Sequence, residues 1–113
     1  MDTTITYQIG TYYGEAEQMH TWTITDEDGT AAELYIEQTA SMIMNVEVRE
    51  DRRGEGLARA LYEAAEAQLG TIYHVPAWGR TPEGDAFADA MGGETLDDET
   101  AAAITGFDLS AIA

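Results

Sequence analysis

Residues 42–69 constrain the fold more than any other part of the chain, because the spacing of their apolar side chains changes once. The stretch MIMNVEV alternates, which predicts a strand whose core-facing side carries Met42, Met44, Val46 and Val48, provided that no bulge shifts its register. The stretch from about Gly56 to Leu69 instead follows the 3.6-residue period of a helix, and Gly70 supplies a stop. A strand, the loop REDRRGEG and an alanine-rich helix are therefore predicted in this order.

The flanking segments extend this unit into a mixed fold. TTITYQI, QMHTWTIT and AAELYIEQ are predicted strands, and the turn DEDG, in which Gly29 supplies a positive φ, predicts a hairpin between the last two. TIYHV follows the first helix as a further strand. TPEGDAFADAMGG predicts a second helix, with Thr81 as N-cap, Pro82 at its first position and Gly92 at its end.

The C-terminal stretch LDDETAAAITG predicts a short third helix, capped by Asp97 or Asp98 and stopped by Gly106. The predicted order is thus β-β-β-β-loop-α-β-α, an α+β fold. A chain of 113 residues without a Pro/Ser-rich linker is expected to form one domain with a modest core.

The charge is strongly negative, with 22 Asp and Glu against five Arg and no lysine, for a formal net charge of −17. Nucleic acids and anionic membranes bind clustered Lys and Arg, so neither is an expected partner. Cationic partners fit better. Adaptation to high salt, or a solubility bias of the source, explains the charge equally well, and mimicry of nucleic acid is a third option.

The absence of cysteine excludes a disulfide framework, a thiolate nucleophile and a cysteine zinc site. No apolar run reaches membrane-spanning length, and MDTTITYQIG lacks the basic start and apolar block of a signal peptide. We therefore expect a cytoplasmic protein.

The one local excess of positive charge lies between Arg49 and Arg59, where four arginines stand among three acids. This stretch includes the junction of the loop and the first helix, where unpaired N–H groups attract anions. Gly54, Gly56 and Ala58 would leave room for a phosphate, and Arg53 and Arg59 would add charge-assisted bonds. The alternative is that these arginines only form surface ion pairs, worth about 0–1 kcal/mol each.

The loop is neither a Walker loop, which needs Gly-Lys-Ser/Thr, nor a dinucleotide fingerprint, which needs a different glycine spacing in a βαβ unit. The run Arg53-Gly54-Glu55-Gly56-Leu57-Ala58 resembles the pyrophosphate-binding signature (Gln/Arg)-x-x-Gly-x-(Gly/Ala) of the GNAT acyltransferase superfamily. AFADAMGG likewise stands where that family often has a helix ending in FYxxLGF. The resemblance covers about residues 18–93.

The resemblance implies a minimal GNAT-like domain, with a mainly antiparallel central sheet that splays next to a CoA-binding helix and with two to three helices. It implies acetyl-CoA (CoA) as cofactor. Its diphosphate would lie on the run from Arg53 to Ala58 (Arg53, Gly54, Glu55, Gly56, Leu57 and Ala58), assisted by Arg59. Val46 and Val48 would offer main-chain groups to the pantetheine arm, and TIYHV would be the strand that diverges.

The catalytic groups are less clear, since an alignment on Gly92 places the family's frequent tyrosine acid at Ala88. Glu47 is the first candidate for the base that takes a proton from the amine, and His74 is the second. Tyr73 could replace the missing acid. Each has a structural alternative: Glu47 as a solvent-facing carboxylate, His74 as a core or surface histidine, and Tyr73 as a packed tyrosine. His20, Trp22 and Trp78 are expected to pack, with Trp78 also a candidate for a groove wall.

The predicted function is an acetyl-CoA-dependent N-acetyltransferase that acts on a primary amine, either a protein lysine or a small amine. The alternative is an inactive GNAT-like module that binds acyl-CoA or engages a basic protein through its acidic surface. The family's N-terminal helices are missing or reduced to YYGEAEQM, which suggests an open groove suited to a large acceptor such as a basic protein. No metal is expected, and a homodimer is a possible assembly.

Overall fold

The structure, a computed structural model, describes residues 4–11 and 18–112. The strands are Ile5–Thr11 (β1), Gln18–Asp26 (β2), Gly29–Glu37 (β3), Ile43–Val48 (β4), Tyr73–His74 (β5) and Glu94–Thr95 (β6). The α-helices are Leu57–Leu69 (α1), Pro82–Met91 (α2) and Asp98–Thr105 (α3), and short 3-10 helices cover Glu50–Arg52, Ala77–Gly79 and Leu109–Ile112. The first four strands form an antiparallel sheet in the order β1-β2-β3-β4, and β5 and β6 form a parallel pair.

The α+β class predicted from the sequence is confirmed, with four antiparallel strands and three helices in the expected order, but the short strand β6 between α2 and α3 was not predicted. The helix ends follow local chemistry: Thr81 accepts a hydrogen bond from the Gly84 amide at 3.0 Å, and Asp97, rather than Asp98, caps α3 by accepting one from the Thr100 amide at 2.9 Å. The strand predicted for TIYHV is shorter than expected, covering only Tyr73–His74. Part of the predicted first strand, at Thr3, lies outside the described residues.

A bulge in β4 makes one prediction wrong. Tyr35 of β3 lies opposite Asn45, but Ile36 lies opposite Ile43, so Met44 has no partner in the β3–β4 register. Ile43 therefore joins Val46 and Val48 against the main core, while Met42 and Met44 belong to a second apolar cluster. The four residues expected on one face are thus divided between two cores.

The main core lies between the antiparallel sheet and α1. Its fully buried members include Trp22, Leu34, Ile36, Leu61 and Ala65. The small side chain of Ala65 brings the helix close to the sheet. Near the end of α1, the Oε1 of Gln68 accepts a hydrogen bond from Trp22 Nε1 at 3.2 Å. Trp22 packs as predicted.

The second cluster joins α3 to the start of β4 and to Met42, the residue that precedes it. Met42, Leu96 and Ala101 form its buried part, and Tyr73 and Trp78 pack against it. Trp78 also stacks on Phe107, with ring centroids 4.3 Å apart, and donates a hydrogen bond to Asp98 at 2.9 Å. Trp78 is therefore a packing residue that holds the C-terminal segment. Among the described residues, no helix has the length and apolar character needed to cross a bilayer.

Candidate functional site

Strands β4 and β5 touch at one point and then part. They share a single parallel bridge, Met42 to Tyr73, and the Tyr73 amide donates to the Ser41 carbonyl oxygen at 2.9 Å. Within the described ranges, no strand pairs with the outer edge of β4 beyond this bridge. The main-chain groups on that edge, including the bulge at Met44, therefore have no ladder partner.

The point of contact is fixed by the turn between β3 and β4. Glu37, which is only 4% exposed, accepts hydrogen bonds from the amides of Thr39 at 2.7 Å, Ala40 at 2.7 Å and Met42 at 3.1 Å. The Glu37 carboxylate accepts the three hydrogen bonds that water would otherwise accept from these N–H groups. It therefore fixes the conformation of the turn. The divergence of β4 from β5 therefore starts at a defined residue.

Two adjoining cavities occupy the space that this divergence opens. The smaller, of about 70 Å³, lies between β4 and residues 74–75 and is closed by α2. The larger is a groove of about 980 Å³ that runs along β4, past the loop and the start of α1, with α2 as its other wall. Asn45, Val46, Thr81 and Phe87 line both. A long, flexible ligand could therefore lie in the groove with one end in the smaller cavity.

The loop between β4 and α1 turns on two glycines. Gly54 has φ +82° and Gly56 has φ +83°, and a Cβ at either position would meet no atom within 4 Å. Both glycines are thus required by backbone conformation, and both leave open space above the loop. Gly56 is the N-cap of α1 and has no side chain with which to bond the first amides. The start of α1 is therefore an uncapped helix terminus.

Two of the four arginines are held by Asp26, in the turn between β2 and β3. Arg49 contacts Asp26 at 2.5 Å and Asp51 at 2.6 Å, and Arg52 contacts Asp26 at 2.5 Å and Glu55 at 2.9 Å. These bonds, led by that from Arg49, hold the pKa of Asp26 far below its ordinary range. The ion-pair interpretation is therefore correct for Arg49 and Arg52, which serve to position the loop.

The other two arginines form no ion pair among the described residues. Arg53 donates to the Val48 carbonyl oxygen at 3.2 Å and lines the groove. Arg59 donates to the Ala90 carbonyl oxygen at 3.1 Å and so links α1 to the last turn of α2. Since no carboxylate of residues 4–11 and 18–112 pairs with either guanidinium, their positive charge is available to a ligand within that part of the chain.

The remaining cofactor candidates differ in what they can offer. Val46, Val48 and Ala58 line the groove. Leu57 is 5% exposed and belongs to the core, so that only its main chain can reach a ligand. Glu55 is paired with Arg52 and, like Gly54, Gly56 and Arg59, is not part of the groove wall. The sequence thus predicted the position of the loop. The structure shows which of its residues line the groove and which hold the loop in place.

Glu47 lines the groove and lies directly opposite Glu33 of β3. Its Oε1 accepts a hydrogen bond from Asn45 Nδ2 at 3.0 Å, and Glu33 Oε2 accepts one from the Tyr35 hydroxyl at 2.7 Å. Like charges opposite each other on a sheet are unfavourable unless a cation or a proton relieves them. The carboxylates of Glu33 and Glu47 thus lie on the same wall of the groove.

His74 is 4% exposed and lines the smaller cavity. Its Nε2 lies 2.6 Å from the Gly92 carbonyl oxygen, which can only accept, so Nε2 carries the proton and the lone pair lies on Nδ1. Burial lowers the pKa of His74 below 6.5, with the Gly92 carbonyl opposing this shift and Arg80 adding to it. The ring, stacked on Tyr62 at 5.8 Å, is therefore a neutral imidazole at neutral pH.

The acid candidates lie outside both cavities. Tyr73 packs against the second cluster and lines neither cavity, and Ala88 is 8% exposed within α2. Sequence reasoning missed Arg80, which lines the smaller cavity and donates to the Val75 carbonyl oxygen at 2.7 Å and to Thr95 Oγ1 at 3.0 Å. In the sequence, the only feature that could have drawn attention to Arg80 as a site residue is its separation from the other four arginines.

No family model, curated protein or solved structure matches this chain.

Proposed function

We propose that the protein is an acetyl-CoA-dependent N-acetyltransferase acting on a primary amine, a minimal relative of the GNAT superfamily. The observation that carries the proposal is the groove that runs along β4, past the edge with which no strand of the described residues pairs, to the start of α1, where no side chain caps the helix. A helix N-terminus with Arg53 beside it suits a diphosphate. An open strand edge suits the amides of a pantetheine arm, which can pair with it as an added strand would.

The adjoining cavity between β4 and β5 provides a place for the thioester. The neutral amine nitrogen attacks the thioester carbonyl carbon, the C–N bond forms, the C–S bond breaks, and the CoA sulfur leaves as a thiolate. A base must take the proton that the amine loses. Glu47, which lines the groove, is the first candidate to orient a cationic amine there and to accept that proton, directly or through water. His74, neutral and with its lone pair on Nδ1, is the second candidate.

The binding step is tested by calorimetry with acetyl-CoA on variants of Gly56. Gly56→Asp places a carboxylate beside the diphosphate and is expected to abolish binding. Gly56→Asn has the same shape and the same backbone strain but no charge, so it should retain more affinity. Gly106→Asp is the matched control, because Gly106 also has a positive φ (+78°) with open space around it and ends α3, far along the chain from the loop. Micromolar affinity in folded Gly56→Asp would remove the loop from the site.

The chemical step is tested by mass spectrometry of acetylated proteins and amines. The chain has no lysine, so every acetyl-lysine formed on mixing enzyme, cofactor and a candidate protein belongs to the acceptor. Glu47→Gln is expected to lower the rate while leaving the acetyl-CoA affinity unchanged. An unchanged rate would discard Glu47 as the base, and His74→Gln would then be the variant to measure.

A second candidate function is a binding module without catalysis. It is favoured by the absence of a hydroxyl at Ala88 and by the position of Tyr73 outside both cavities. Firm binding of acetyl-CoA without transfer to any protein, peptide or small amine would support the module over the enzyme.

A further inference from the structure

Strand β1 forms one edge of the antiparallel sheet, and no strand of the described residues pairs with its outer side. All seven of its residues, Ile5–Thr11, pair with β2 in an unbroken register. Natural sheets block association at such edges with charges, prolines or bulges. The stretch ITYQIGT contains no charge and no proline, and its pairing has no bulge. As far as residues 4–11 and 18–112 are concerned, the outer edge of β1 is therefore open to another strand.

The same edge carries exposed apolar side chains. Tyr7 is 39% exposed and Ile9 is 41% exposed, and they are the large apolar side chains that stand out to solvent among the described residues. They lie two residues apart and so on one face of the strand. Tyr7 is held in place by its hydroxyl, 2.6 Å from His20 Nδ1, and by its ring contact with Trp22. The edge thus has a rigid aromatic group next to a β-branched one.

The distribution of charge on this chain indicates which kind of partner would bind at β1. The chain has a net charge of −17, and a basic protein would be drawn to its carboxylates rather than to an uncharged strand. A second acidic chain can approach closely only where carboxylates are absent, which is the property of β1. We propose that two copies of this chain associate through antiparallel pairing of their β1 strands, forming a continuous eight-stranded sheet with its two-fold axis at Gln8.

This register is self-complementary. Centred on Gln8, it places Tyr7 of each copy opposite Ile9 of the other, so the two exposed side chains cover each other on both sides of the axis. Aromatic and β-branched side chains form favourable cross-strand pairs. Repulsion between the two acidic chains opposes the association, so added salt should strengthen the dimer, whereas it would weaken binding to a basic partner.

Sedimentation equilibrium of the full chain at 0.1 M and 1 M KCl tests the association, at concentrations on the order of 100 µM. We expect a two-chain mass whose fraction rises with KCl. Ile9→Glu should weaken the dimer by about tenfold or more, because it removes an apolar contact at each side of the axis. Ala67→Glu adds the same charge on the exposed face of α1 and is the matched control.

Cysteine cross-linking tests the register and does not depend on the Ile9 variant being folded. The native chain has no cysteine. Gln8→Cys alone should form a disulfide between copies, since the two Gln8 side chains meet at the axis, whereas Thr6→Cys should not, since Thr6 lies opposite Gly10. A monomer at both salt concentrations would overturn the proposal. So would a dimer that Ile9→Glu weakens no more than Ala67→Glu does and that Gln8→Cys does not cross-link.

Discussion

Glu37 connects one buried side chain to the geometry of the whole site. Its carboxylate accepts the amides of Thr39, Ala40 and Met42, and the turn it holds presents the Ser41 carbonyl oxygen to Tyr73. Without that carboxylate, the amides of Thr39, Ala40 and Met42 would each lose an acceptor, and of these three residues Met42 is fully buried. The place where β4 and β5 part therefore depends on a single acidic residue.

Glu37→Gln is expected to lower the free energy of unfolding by about 1–3 kcal/mol, because an amide group replaces one acceptor oxygen and faces other donors. Chemical denaturation measures this change. In a chain with a net charge of −17, losing an exposed carboxylate should be neutral or stabilising. Glu63→Gln, on the exposed face of α1, is the control for that effect. Equal results for the two variants would contradict the role assigned to Glu37.

His74 gives the stability a dependence on pH. Burial lowers the pKa of His74 below its ordinary value, so below pH about 6.5 the unfolded chain takes up a proton that the folded chain resists. The stabilising difference between the two states is complete above that pH and is lost as the pH falls through it. In His74→Gln, which can still donate to the Gly92 carbonyl oxygen, this component should disappear.

The measurement is the free energy of unfolding of both proteins between pH 5 and 8. We expect the difference curve, native minus variant, to be flat near pH 8 and to fall toward pH 5. A difference curve that is flat throughout, or that rises as the pH falls, would show that His74 is not buried in its neutral form.

At the scale of elements, the loop between β4 and α1 is attached to the turn between β2 and β3. Asp26 joins them by binding both Arg49 and Arg52, which also bind Asp51 and Glu55 of the loop itself. From its sign alone, a negative charge near a proposed anion site is expected to weaken anion binding. Asp26 is negative, yet its position in the structure makes it a support of that site.

Asp26→Asn therefore distinguishes two effects of Asp26: its role in holding Arg49 and Arg52, and its negative charge near the proposed anion site. Removal of a negative charge near a diphosphate should tighten acetyl-CoA binding if charge alone matters. We expect weaker binding instead, on the order of tenfold, because the released arginines no longer hold the loop in its binding conformation. Calorimetry gives the affinity, and Asp28→Asn, two residues along the same turn, controls for the change in net charge. Tighter binding in both variants would exclude a positioning role.

At the scale of the molecule, carboxylates far outnumber the cations that could pair with them. Ion pairs among the described residues involve four carboxylates, those of Asp26, Asp51, Glu55 and Asp85. The net charge of −17 therefore remains as repulsion across a small surface. Adaptation to salt and recruitment of a cationic acceptor are two explanations of this charge, and they predict different responses of the stability to salt.

If the acidity is an adaptation to salt, the melting temperature should rise by on the order of 10 °C between 0.05 M and 2 M KCl, as screening reduces the repulsion. Calorimetric melting curves measure this rise. Because the proposed dimer would also strengthen with salt, the curves should be repeated with Ile9→Glu. A flat curve, together with salt-sensitive binding of a cationic acceptor, would favour recruitment instead.

The order of strands and helices was predictable because it depends on neighbouring residues. The apolar spacing of residues 57–69, the cap at Thr81 and the stops at Gly70 and Gly92 each act within one or two turns of chain, and the structure has helices at the expected places. The glycine-bearing loop at the start of α1 was predictable for the same reason. By itself, then, the sequence determined the three helices, the four strands of the antiparallel sheet and the location of the candidate anion site, but not β6.

Only the tertiary structure decided which groups could act there. Asp26 meets Arg49 and Arg52 across 23 and 26 residues of chain, so no local pattern could show that two arginines support the loop while Arg53 and Arg59 remain without ion pairs among the described residues. The bulge at Met44 depends on the pairing of β4 with β3. Because of it, Met42 and Met44 pack in a different cluster from Val46 and Val48, although simple alternation predicted one face for all four. Contacts between distant segments depend on how whole elements pack, and the spacing of neighbouring residues does not encode that packing.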